Sequence, residues 1–92
     1  MALENTIEAY LVKRVKELGG FSLKTDRVDG RRFVDRTCFL PGGRVAVFEL
    51  KRPNGGVVRG LQLYNIDRLK ALGIEVHLVN SKEQIDDILG TA

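Results

Sequence analysis

Tryptophan is absent from this 92-residue chain, and cysteine, histidine and methionine occur once each. The single cysteine, Cys38, closes no disulfide within the chain, and no CxxC pair or Cys/His cluster surrounds it. A disulfide scaffold and a structural zinc site are therefore both excluded as organising principles. No run approaches the roughly 18 apolar residues that a membrane helix needs. The opening MALENTIEAY lacks the basic start and apolar run of a secretory signal. These absences lead us to expect an intracellular, cytoplasmic protein with no membrane partner.

A chain this long makes one domain at most, and residues 1–92 are expected to form a single domain around one modest core. There is no room for a separate substrate-binding domain, so catalytic groups must stand on the core scaffold. Lys and Arg together number 15 against 12 Asp and Glu, a net charge of +3. That is a mild pointer to a polyanionic partner, and the placement of the charges says more than their sum.

Residues 3–18 read as an amphipathic helix, with Leu3, Ile7, Leu11 and Leu18 on one stripe and Tyr10 and Val15 at its edges. Gly19-Gly20 ends it. Phe21 to Lys24 is a short alternating strand, and 25–32 (TDRVDGRR) reads as a polar, basic loop. Phe33 to Leu40 and Arg44 to Lys51 are rich in strand formers, and Pro41-Gly42-Gly43 between them predicts an antiparallel hairpin. Residues 57–72 carry Leu61, Tyr64, Leu69 and Leu72 at helical spacings, and 74–79 form a further strand. Ser81-Lys82-Glu83-Gln84 matches a capping box ahead of a short last helix with Ile85, Ile88 and Leu89. The order is α-β-β-β-α-β-α. A strand reached through a crossover helix lies parallel to its neighbour, which predicts an α/β fold with a central mixed sheet flanked by helices.

Chemistry concentrates at the end of the 44–51 strand. Side-chain alternation puts Val45, Val47, Glu49 and Lys51 on one face and Ala46, Phe48 and Leu50 on the other. Both faces are apolar up to residue 49, as in a strand covered on both sides. Glu49 and Lys51 emerge about 6.6 Å apart along the strand. A carboxylate at the end of a buried strand is costly unless paired or bound to a cation. The hairpin would bring Asp35 alongside Glu49, and two converging carboxylates call for a hard divalent ion such as Mg²⁺. Such an ion can hold a scissile phosphate and activate a water. Lys51 would then stabilise charge on the phosphate or position that water. On helix one, at about 100° per residue, Glu4 projects inside the apolar stripe and Glu8 sits at its edge, a third carboxylate for the site. Arg14 also projects into the stripe, with no assigned role.

An N-terminal helix with Glu, then Asp, then Glu-x-Lys, then a helix carrying Gln resembles the PD-(D/E)xK nuclease superfamily. More closely, the chain resembles the stand-alone virus-type replication–repair nuclease (VRR-NUC) domains. The resemblance rests on Glu4 to Ile7, Gly30 to Asp35, Val47-Phe-Glu-Leu-Lys-Arg-Pro53, Gln62, Leu69 and Ala71-Leu-Gly73. The family usually has Gly-x-Pro-Asp where this chain has Arg32-Phe33-Val34-Asp35; the missing proline shapes backbone and is not a ligand.

The resemblance implies a restriction-endonuclease-like core and a Mg²⁺- or Mn²⁺-dependent DNA endonuclease, and it places Gln62 near the attacking water or the phosphate. The metal ligands expected are Asp35, Glu49, the Leu50 backbone carbonyl and Glu4, with Glu8 the alternative. Stand-alone members act as homodimers on four-way (Holliday) DNA junctions; an enzyme for flaps, nicks or ends, and a catalytically silent DNA-binding module, are the other readings. Phe33, Phe39, Val57 and Val58 are surplus apolar residues compatible with a dimer patch. Arg27, Arg31, Arg32, Arg36 and Arg52 are candidate phosphate contacts. No aromatic interleaving suggests base stacking, so sequence-specific readout is not expected. His77 reads as structural, Cys38 as a small core residue and Asp86-Asp87 as a solvated helix face.

Overall fold

A computed structural model of the chain describes residues 4–51 and 60–90, with the side chains of residues 4, 5 and 61 outside that description. The first helix, α1, spans Glu4–Glu17, and β1 spans Phe21–Lys24. Two short strands, β2 (Arg27–Val28) and β3 (Arg31–Arg32), precede β4 (Arg36–Leu40) and β5 (Arg44–Leu50). Helix α2 (Gly60–Ala71), strand β6 (Glu75–Val79) and helix α3 (Lys82–Leu89) complete the order.

The main sheet runs β1-β4-β5-β6, antiparallel except for the parallel β5–β6 pair reached through α2. This is the mixed sheet that the crossover rule predicts. The turn Pro41–Gly43 closes the β4–β5 hairpin, in which Leu40 faces Arg44 and Cys38 faces Ala46.

Alternation along β5 divides the core in two. Ala46, Phe48 and Leu50 pack with Cys38, Leu40 and Val79 against Ile7, Leu11 and Val15 of α1 and Ile85 and Leu89 of α3. Val47 packs on the opposite face with Val34 and Ile66, the latter from α2. Val15, placed at the edge of the helix-one stripe by sequence, is fully buried, while Leu18 lies at the margin.

Two sequence readings change, and a third gains a role. Residues 25–32 are not a plain loop: β2 and β3 form a two-stranded hairpin in which Val28 faces Arg31. Its turn, Asp29-Gly30, has φ of 53° and 72°, the left-handed pair that a two-residue type I′ hairpin requires. The strand expected from Phe33 begins at Arg36 instead, because the Phe33 N–H bonds to the Asp26 carbonyl and Val34 turns into the core. Asp86 does lie on the solvated face expected of it, and it is also the partner that Arg14 lacked. Its Oδ1 accepts from Tyr10 Oη at 2.8 Å and Arg14 Nε at 3.0 Å, while Arg14 Nη2 donates to the Gly90 carbonyl at 2.7 Å. Arg14 thus ties α1 to the C-terminal end of α3.

The predicted cap of α3 is present: Ser81 Oγ accepts the Gln84 N–H at 3.2 Å, and Gln84 Oε1 accepts the Asn80 N–H at 2.6 Å. His77 contacts the Phe48 ring and hydrogen-bonds Glu75, which also takes both Arg44 Nε and Nη2.

At the end of α1 the chain passes so close to β4 that a Cβ on Gly20 would lie 2.1 Å from the Phe39 carbonyl oxygen. No side chain fits there without moving the strand that carries the site. Gly20→Ala is therefore expected to destabilise the protein by about 2–4 kcal/mol, a forced backbone shift in a packed core. Denaturant unfolding checks it, and a loss under about 0.5 kcal/mol, the usual surface effect, would refute it.

Candidate active site

Arg36 and Phe48 are the last backbone partners of β4 and β5. Past them the two strands are joined by side chains. Asp35 Oδ2 accepts the Leu50 N–H at 2.8 Å, taking the place of a backbone carbonyl. Reciprocally, the Asp35 N–H donates to Glu49 Oε1 at 3.2 Å. Glu49 shares the α2-facing side of β5 with Val47, and its Oε2 accepts from Gln62 Nε2 on α2. Asp35, Glu49 and Gln62, picked out by sequence, thus form one hydrogen-bonded group. The Leu50 carbonyl leaves the strand on the same edge as its N–H, toward Asp35. Lys51 follows, half-buried, with its N–H held by the Val79 carbonyl at 2.8 Å.

The carboxylates are held against their electrostatic preference. Glu49 is 1 % exposed. Burial, and after it the Asp35 charge, push its pKa up to about 7, against the Asp35 N–H bond and the charges of Lys51 and Arg32. Asp35 is also raised, chiefly by burial and further by Glu8 and Asp26, with the Leu50 N–H and Arg32 opposing. A cation between such groups would relieve both penalties.

The donors suit a hard ion. Asp35 Oδ1 has no hydrogen-bond partner among the described residues, and the nearby ligands are oxygens. No cluster of three or more His, Cys, Asp or Glu side chains forms among the described residues. Oxygen donors of this kind are those that hard divalent ions, which keep several waters, prefer.

Glu4 opens α1, but its side chain lies outside the described residues. Glu8 accepts from Arg36 Nε at 2.8 Å and pairs with Lys24 at 3.4 Å. Arg36 is consequently largely buried against α1, unlike Arg31 and Arg32, which are exposed on β3. Arg27 Nη1 reaches the Gly30 carbonyl at 3.4 Å across its own hairpin. Arg52 lies outside the described residues. Sequence reasoning missed Asn65, a buried residue on α2 whose Nδ2 donates to the Arg32 carbonyl at 3.1 Å. It also missed Tyr64 and Arg68, whose side chains interact one helical turn apart. That i, i+4 spacing was the available signal.

Comparison with known proteins now bears on this geometry. No family model matches the chain. It is 35% identical over 80 residues to "Putative nuclease p44" of Acyrthosiphon pisum secondary endosymbiont phage 1, covering 87% of this chain and 85% of that protein. A solved structure described as a VRR_NUC domain superposes with a TM-score of 0.85 at 28% sequence identity, over 94% of this chain and 92% of that one. The chain belongs to the VRR-NUC nuclease family.

In this VRR-NUC chain the proline usual before the aspartate is Val34, and the structure supplies other restraints. Val34 is fully buried against Val47 and Ile66, and its carbonyl accepts from Thr25 Oγ1 at 2.8 Å. Packing and that bond fix the backbone ahead of Asp35.

A raised carboxyl pKa has a stability consequence. The folded value of Glu49, about 7, lies above its ordinary 4.5, so the folded state holds the proton more tightly. That contribution is full below pH 4.5 and is lost as pH rises to about 7. Glu49→Gln has no such titration. Without divalent metal, the stability of Glu49→Gln relative to wild type should therefore rise by about 2 kcal/mol between pH 5 and pH 8. Paired denaturant titrations at the two pH values measure this, and a difference independent of pH would show that Glu49 is not held in that environment.

Proposed function

We propose that this VRR-NUC nuclease is a Mg²⁺- or Mn²⁺-dependent deoxyribonuclease that hydrolyses phosphodiester bonds in branched DNA, chiefly four-way junctions, as a homodimer formed by its single domain, residues 1–92. The reciprocal Asp35–Glu49 arrangement carries the reading: two adjoining carboxylates, both raised in pKa by burial and Glu49 further by the Asp35 charge, make chemical sense when a cation shares their charge. Asp35, Glu49 and the Leu50 carbonyl would hold the ion, with waters completing the shell and Glu8 or Glu4 acting through one of them. Bound there, Mg²⁺ or Mn²⁺ supplies Lewis acidity at the scissile phosphate and lowers the pKa of the attacking water.

The chain's own groups do the rest. Lys51 places a positive charge beside the carboxylates, where negative charge develops on the phosphate. Gln62, bonded to Glu49, orients that carboxylate and lines the path of the water. Arg27, Arg31, Arg32 and Arg52 contact flanking phosphates; Arg36, its charge balanced by Glu8, offers phosphate only its remaining N–H donors.

The dimer reading draws on symmetry and on surface. A four-way junction has two equivalent strands to cut, and a two-fold dimer presents two sites in matching geometry. Phe21, 57 % exposed, stacks on Phe39 at 5.0 Å between ring centroids, beside the exposed Leu23 on edge strand β1. That apolar surface suits burial against a second copy. Phe33 instead packs on the α2-side core, and Val57 and Val58 lie outside the described residues.

Labelled four-way junctions, flaps and linear duplex at equal concentration provide the test. Nicking of two opposed junction strands is expected, dependent on Mg²⁺ or Mn²⁺ and abolished by a chelator, with affinity falling steeply as salt rises. Cleavage that survives chelation would sink the metal reading. Glu49→Ala would leave the Asp35 N–H and the Gln62 amide without their acceptor, so Glu49→Gln is the cleaner variant; it should lose at least about 100-fold in kcat. Lys51→Ala should lose about 100-fold with metal affinity nearly unchanged, and an unchanged kcat would reduce Lys51 to a surface charge. Sedimentation at micromolar concentration should give twice the chain mass. A monomer that prefers flaps would replace the junction reading and leave the metal chemistry standing.

A further inference from the structure

Beside the carboxylates, a cleft of about 520 Å³ opens between the β2–β3 hairpin and α2. Its hairpin wall carries Arg31 and Arg32, and Asp29 at the turn; its helix wall carries Tyr64 and Arg68, with Phe33 contributing apolar surface. The volume lies within the range of small-ligand sites.

Four observations define what the cleft would take. Tyr64 is 57 % exposed although it is a large aromatic on a helix that packs on the sheet. The Arg68 guanidinium stands over its ring, 5.1 Å from the centroid. An exposed aromatic paired with an arginine plane is a stacking platform for any nucleobase. The opposite wall holds two exposed arginines for phosphate, and the Asp29 carboxylate offers an acceptor for an exocyclic amine. Phosphate donors, a stacking surface and a base-edge acceptor together match a nucleotide, whereas a phosphate ion alone would leave the aromatic wall unused.

The position of the cleft links it to cleavage. Arg32 lines it and also acts electrostatically on both Asp35 and Glu49. Asn65 anchors the Arg32 carbonyl to α2, one turn from the Gln62 that bonds Glu49. The cleft and the carboxylates are thus fastened to the same helix.

We infer that this cleft receives one unpaired nucleotide flanking the scissile phosphate, its base stacked on Tyr64 and its phosphate held by Arg31 and Arg32. The inference rests on the nuclease reading and deepens it. A base in a continuous duplex is stacked and paired and cannot enter, whereas a branch point or a frayed end can offer one. The cleft would therefore contribute selectivity for interrupted DNA without reading sequence.

The test uses the full chain and two probes. One is a forked duplex with 2-aminopurine at the unpaired nucleotide next to the fork; the other is a fully paired duplex of equal length carrying the same label. Binding is followed in EDTA by 2-aminopurine fluorescence, and cleavage separately in Mg²⁺. Wild type should quench the forked probe on binding and leave the fluorescence of the paired probe, already low from stacking in the duplex, unchanged. Tyr64→Ala should abolish the quench and weaken binding of the fork about tenfold while changing duplex affinity less than twofold. Tyr64→Phe, which keeps the ring, should restore both. Equal weakening on both DNAs, or quenching that persists in Tyr64→Ala, would overturn the cleft assignment. Absence of Mg²⁺-dependent cleavage by wild type would overturn the nuclease reading itself, an outcome separate from either of those.

Discussion

Two hydrogen bonds hold the open end of the β4–β5 hairpin together, and the rest of the site hangs on them. Where backbone pairing stops, Asp35 binds the Leu50 amide and Glu49 binds the Asp35 amide. Each acid is thus both a structural acceptor and half of a charged pair. This solves a problem inherent to such sites. Buried carboxylates are costly, and a fold that carries them without a ligand needs some compensation. Here part of it comes from backbone amides that would otherwise lie unpaired at the strand end. The remaining mismatch shows as the raised pKa of both groups.

Around that pair, each element has a positioning task. The α2 helix presses Gln62 onto Glu49 and Asn65 onto the hairpin. From the other side of the sheet, α1 supplies Glu8, whose bond to Arg36 holds down the residue after Asp35. The α3 helix is one step removed: it is fastened to α1 through Tyr10 and Arg14, and to the sheet through Arg44, which donates to the Ile88 carbonyl at 3.0 Å.

What could be read in advance follows from where the determining interactions lie. The two-sided burial of β5, the hairpin through Pro41–Gly43 and the meeting of Asp35 with Glu49 were legible because strand alternation and turn chemistry are local rules. The β2–β3 hairpin was hidden by polarity. Its Asp-Gly turn was a hairpin signal, but the flanking Arg27, Val28, Arg31 and Arg32 do not alternate as a half-buried strand does. Arg14 was unreadable because its partner Asp86 stands 72 residues away. In sequence Tyr64 looks like a helix-face residue and Phe33 like surplus apolar surface; only the folded hairpin shows them sharing a cleft with arginines. The pairing of an aromatic ring with an arginine, which the order of residues did not suggest, is present in space.

Because Asp35 closes the sheet and is also a ligand of the proposed metal site, mutational drift at this position is constrained in kind. An apolar replacement would strand the Leu50 amide at a buried strand end, so loss of activity by that route carries a loss of stability with it, about 1–3 kcal/mol. An amide keeps an acceptor oxygen and surrenders only the charge. Lineages of this protein that abandon cleavage but retain the scaffold should therefore leave asparagine as their trace at position 35, a signature by which silent descendants can be told from working ones.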